Sequence, residues 1–164
     1  MRSKKTNALQ VSVLLTGVIY MIMGAAFLLT PMFVLQLFAE NVSENWLDLV
    51  RDHELVAPLF YMVRSFSVLL ITSGFLMIMP LFDPLKYRGI VYINGVLFPL
   101  ISSIILIKNG LFAKDRGTLV QESVFQGDYT HKLIVIIGVI FAVIFLVSVI
   151  MLILTAKDAK EGKE

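Results

Sequence analysis

The sequence predicts an all-α integral membrane bundle of four transmembrane helices, with a short interfacial helix in the first outer loop. Three observations predict it. Four apolar stretches are each long enough to cross a bilayer, which takes roughly 20 residues of helix. Of the 164 residues, 58% are hydrophobic and 16% charged, so one small soluble core cannot hide the apolar surface and lipid is its expected solvent. Lysines and arginines gather near the ends of the stretches, as they do at the edges of membrane spans. The chain reads as a single domain over residues 1–164, and no residue motif repeats within it.

The first span covers about residues 9–30 and follows Arg2, Lys4 and Lys5. It is longer than a signal-peptide core, which runs about 7–15 residues, and it ends at Thr30-Pro31 without a small-residue cleavage site. It therefore reads as a retained anchor. The connection after it contains "NVSENWLDLV". Asn41 followed by Glu44 makes a capping box, and Val42, Trp46, Leu49 and Val50 form one apolar stripe at helical spacing. This predicts a helix lying on the membrane surface, with Trp46 at headgroup level. Asn41-Val42-Ser43 also fits a glycosylation acceptor, but capping already accounts for it.

The second span covers about residues 57–79 and carries Arg64 in its first half. Asp83-Pro84 marks the tight link to the third span, about residues 90–107, which Asn94, Pro99, Ser102 and Ser103 interrupt. Pro99 removes one backbone hydrogen bond and predicts a kink, with nearby hydroxyls available to the freed carbonyl. "AKDRGTLVQESVFQGDY" then predicts a loop or small hairpin. The fourth span, "LIVIIGVIFAVIFLVSVIMLIL" over about residues 133–155, is the most apolar, and a charged tail fills 156–164.

Orientation follows from the cations. Arg2, Lys4, Lys5, Lys86, Arg88, Lys157, Lys160 and Lys163 fall on one side; Arg51, Lys108, Lys114, Arg116 and Lys132 fall on the other. This places both termini in the cytoplasm.

Depth along each span, at about 1.5 Å per residue, groups the polar and small residues. Arg64 comes out about 10 Å below the outer boundary, level with Gly24, Ser102, Ser103 and Gly138. These residues form the predicted site for a ligand or lipid headgroup. An arginine near the bilayer centre costs roughly 2.5–3.5 kcal/mol on insertion scales, and no aspartate or glutamate lies within any span to pair with it. Snorkelling to the interface, bonding to carbonyls, and contact with an anion remain open. A second layer, about 20 Å down, holds Thr16, Gly17, Thr72, Ser73, Asn94 and Ser148. Its expected role is interhelical hydrogen bonding, and Gly17, Gly74, Asn94 and Pro99 are expected to shape helix packing.

Several chemistries are disfavoured. The chain has no cysteine, which removes disulfides and thiolate chemistry. Its two histidines lie outside the spans, where they cannot serve as intramembrane haem ligands. No protease, nucleophile-elbow or phosphate-loop motif appears. The net charge of +2 argues against nucleic acid. His53, flanked by Asp52 and Glu54, and His131, after Asp128 and Tyr129, share the outer side and form a weak metal-binding candidate beside the simpler reading of two interfacial histidines.

"GVIYMIMGAAFLLTP", with Gly17, Tyr20, Gly24 and Pro31, together with Arg64, Gly74 and a closing "FDP", resembles the DoxX-like superfamily of small four-helix bacterial membrane proteins. The resemblance implies accessory subunits, some linked to quinone-dependent sulfur oxidation or to oxidative-stress complexes. By position it carries over only Arg64 and the glycines Gly17, Gly24 and Gly74, as packing or pocket residues. The expected function is a non-enzymatic accessory or structural subunit, or a lipid-binding protein, with an outer-leaflet pocket at Arg64. The alternative is a quinone- or lipid-linked membrane enzyme component. No cofactor is expected; the expected partners are the bilayer, a lipid or quinone, and a protein partner or second copy.

Overall fold

The computed structural model describes residues 4–39, 56–111 and 132–156. Within them every element is helical: α1 Lys4–Leu29, α2 Pro31–Ala39, α3 Val56–Leu76, α4 Ile78–Phe82, α5 Arg88–Tyr92, a π-helical turn Ile93–Leu97, α6 Phe98–Leu111 and α7 Lys132–Leu154. These make four helices long and apolar enough to cross a membrane: Lys4–Leu29, Ala57–Phe82, Arg88–Leu111 and Leu133–Leu154. The protein is a small four-span helical membrane protein in contact with the lipid bilayer. The surface helix expected over 41–50, the loop or hairpin after Leu111 and the tail over 157–164 lie outside the described residues. The short helix that is described after the first span is α2.

Prolines set the breaks. The Thr30 hydroxyl and N–H both donate to the Ala26 carbonyl, at 2.8 and 3.0 Å, and close α1. Pro31 starts α2 at a position where a missing N–H costs nothing. The second span breaks at Met77, between α3 and α4. There the Met77 N–H is shared between the carbonyls of Ser73 and Gly74, at 3.2 Å each. Pro80 lies three residues further on, buried, and has no N–H for the carbonyl one turn back, so the ladder distorts at that turn.

The 83–87 turn joins the second and third spans. Asp83 Oδ1 accepts the Lys86 N–H at 3.0 Å, and the Asp83 carbonyl accepts the Tyr87 N–H at 3.1 Å. An aspartate bonding to the backbone ahead of it is a turn former, and Pro84, buried here, fixes the chain direction. We call this the turn end of the bundle.

The first span packs antiparallel along the second, and the third along the fourth; the first and fourth join the two pairs. The second and third spans meet where α4 and α5 flank the turn. Two buried clusters fill the centre. Leu9, Val13, Met77 and Val91 form one at the turn end, and Tyr20, Leu70, Phe141 and Ile144 form the other. In the second, Tyr20 and Phe98 stand edge to face at 5.6 Å and 89°, as do Phe98 and Phe141 at 5.6 Å and 86°. Such T-shaped pairs use the ring quadrupoles as well as area. The remaining apolar surface faces outward: the fourth span presents Ile136, Val139, Val143, Leu146, Ile150 and Ile153 to the bilayer.

Candidate functional site

The arginine that stood out in the sequence does not enter the core. Arg64 is exposed, on the strip of α3 that also presents exposed Tyr61 one turn before it and Val68 one turn after. It lies eight residues into α3, about 12 Å along the axis. Among the described residues its guanidinium has no hydrogen-bond or ion-pair partner. The Ser67 hydroxyl, on the buried side of the same turn, donates to the Arg64 backbone carbonyl at 2.6 Å and leaves the side chain untouched.

The residues expected to surround Arg64 are dispersed over two helix seams. Gly24 faces α3: a Cβ there would lie 2.7 Å from Ile71 Cγ1 and 2.9 Å from the Ser67 carbonyl oxygen. Gly138 faces α6, where a Cβ would lie 2.8 Å from Ile107 Cγ1 and 3.1 Å from the Ile107 nitrogen. Ser103 is buried and donates to the Leu100 carbonyl of its own helix at 2.9 Å, and Ser102 is half-buried. Equal depth thus did not bring these residues together, because each glycine is taken up by the helix next to its own. His53 and His131 lie outside the described residues.

Gly17 and Gly74 oppose each other between the first two spans; a Cβ at Gly74 would lie 2.9 Å from the Gly17 carbonyl oxygen. Small residues at a seam let helix backbones meet. Between the third and fourth spans, Gly95 receives Ser148, whose hydroxyl would sit 2.7 Å from an added Cβ.

In the deeper polar layer, Asn94 accepts an interhelical bond through its carbonyl, while the hydroxyls bond locally or not at all. Thr16 is buried and donates to Ser12 of its own helix at 2.9 Å. The Asn94 amide reaches back to Ile90 at 3.5 Å, and the buried Ser148 hydroxyl has no hydrogen-bond partner among the described residues. Thr72 is exposed and Ser73 half-buried. Among the described residues the side-chain donors that cross between spans include Gln10, Tyr20 and Arg88, because long side chains reach across a seam where short hydroxyls bond back to their own helix.

Three such links stand out. The Tyr20 hydroxyl donates to the Asn94 carbonyl at 2.6 Å, crossing from the first span to the third. Gln10 Nε2 donates to the Leu81 carbonyl at 2.7 Å, beside the Pro80 break. Arg88 Nη1 donates to the Thr155 carbonyl and hydroxyl at 3.1 and 2.9 Å, while Nη2 donates to the Leu152 carbonyl at 2.7 Å. Arg88 thereby binds carbonyls at the C-terminal end of α7 and places a cation beside the negative end of the helix dipole. The sequence carried one signal for these residues. Gln10 is a long polar side chain inside an apolar run, close to the turn end that Pro80 and Arg88 also occupy.

No protein-family model, curated protein or solved structure matches this chain.

Proposed function

We propose that this chain is a non-enzymatic membrane protein, an accessory or structural subunit or a lipid-binding protein, that makes its polar contact through Arg64. The observation that carries this reading is an exposed arginine about 10 Å into a span, on a bilayer-facing strip and without a partner among the described residues. A guanidinium in that position suits an anionic group, and a lipid phosphate or a partner's carboxylate supplies bidentate bonding. The space beside Gly24 and Gly138 is taken by Ile71, Ser67, Leu106 and Ile107, which favours an exposed contact over an enclosed substrate pocket for a quinone. With both termini in the cytoplasm, the contact falls in the outer leaflet.

Native mass spectrometry of protein extracted in mild detergent tests this. Arg64→Leu should lose a phospholipid or protein partner that the wild type retains, and Arg64→Lys should keep part of it. Wild-type retention by Arg64→Leu, at unchanged abundance, would overturn the reading.

A further inference from the structure

The turn end carries a second feature, independent of Arg64. An open groove of about 530 Å³ runs between the third and fourth spans, lined by Arg88, Gly89, Tyr92, Val96, Val149, Leu152, Ile153 and Ala156. That volume falls within the roughly 300–1,000 Å³ typical of small-molecule sites. Its walls are almost wholly apolar. Gly89 keeps its mouth clear, since a Cβ there would meet nothing within 4 Å. From Arg88 to Val96 the helix rises about 12 Å, which fits within one leaflet, about half of a 30 Å hydrocarbon core.

The charge at the mouth selects the occupant. An uncapped helix C-terminus is negative and repels anions. Arg88 reverses that sign at α7, and its three hydrogen bonds leave two of the five guanidinium N–H groups for another acceptor. The bond from Gln10 to Leu81 brings the start of α1 to the same end, with Lys4 and Lys5 exposed on its first turn. Lys86 is exposed in the turn, against Asp83, whose carboxylate accepts a backbone N–H. Arg88 at the mouth of an apolar interhelical groove, with further lysines at the same end of the bundle, complements an anionic headgroup joined to an acyl chain.

We propose that this groove binds an anionic glycerophospholipid of the adjoining leaflet, with one acyl chain between Tyr92, Val96, Val149 and Ile153 and the phosphate at Arg88. The test offers delipidated protein equal amounts of dioleoylphosphatidylglycerol and dioleoylphosphatidylcholine in mild detergent and reads the adducts by native mass spectrometry. The wild type should favour the anionic lipid about fivefold, the ratio for one cation acting on one anionic headgroup. Arg88→Gln should bring the two lipids level. Gly89→Leu, which fills the mouth and leaves the Arg88 bonds intact, should lower binding of both. If Arg88→Gln does not fold, Gly89→Leu decides alone. Equal binding of the two lipids by the wild type, or undiminished phosphatidylglycerol binding by Gly89→Leu, would overturn the proposal. A change of oligomeric state in Gly89→Leu with lipid binding intact would assign the groove to a second copy and likewise overturn it.

Discussion

The Tyr20 hydroxyl donates to the Asn94 backbone carbonyl at 2.6 Å, and Pro99 explains why that carbonyl is available. In the π-helical turn the Phe98 N–H reaches back five residues to Ile93. The corresponding donor for Asn94 is residue 99, a proline without an N–H. A buried carbonyl without a donor is costly in lipid, and a tyrosine from another span fills the gap. Tyr20→Phe keeps the ring against Phe98 and Phe141 and removes only the donor. We expect a stability loss of about 1–3 kcal/mol, the cost of a buried unsatisfied acceptor, measured by thermal melting in a fixed detergent. An unchanged melting temperature would show that the bond contributes nothing.

Arg88 ties the start of the third span to the end of the fourth. Arg88→Leu removes three hydrogen bonds from the last turn of α7 and should destabilise the bundle by on the order of 2–3 kcal/mol. Arg88→Lys keeps the charge but loses the forked geometry, so it should fall between the two. Hydrogen exchange at the end of α7 reads the effect locally; equal protection in all three proteins would contradict the cap.

Two glycines provide an internal comparison. Gly74→Ala would set a Cβ 2.9 Å from the Gly17 carbonyl oxygen, a backbone atom that cannot step aside, and should cost about 1–3 kcal/mol through overpacking. Gly89→Ala meets nothing within 4 Å and should be neutral or stabilising by up to about 1 kcal/mol through helix propensity. Equal losses in parallel melts would contradict the seam.

Ser148 tests the deeper polar layer. Its hydroxyl is buried against Gly95 without a hydrogen-bond partner, so Ser148→Ala removes a polar atom that nothing satisfies. Stability should hold or rise by up to about 1 kcal/mol. A clear fall in melting temperature would mean that this hydroxyl bonds across the seam after all.

The sequence by itself determined the four spans, the tight Asp83-Pro84 link and the proline in the third span that lacks an N–H. Hydropathy over a bilayer's thickness and the missing proline N–H act locally, and no partner is needed to read them. Gly17 and Gly74 were legible as packing residues for the same reason, since a side chain of one hydrogen invites close approach wherever the seam falls. Only the tertiary structure decided that Gly24 and Gly138 serve different seams, that Tyr20 answers Asn94, that Arg88 caps α7 and that Arg64 faces outward. A helix in lipid is apolar on every side, so its periodicity does not reveal which face turns inward. Depth along the span gives one coordinate of each residue; rotation about the helix axis, which packing alone fixes, gives the other.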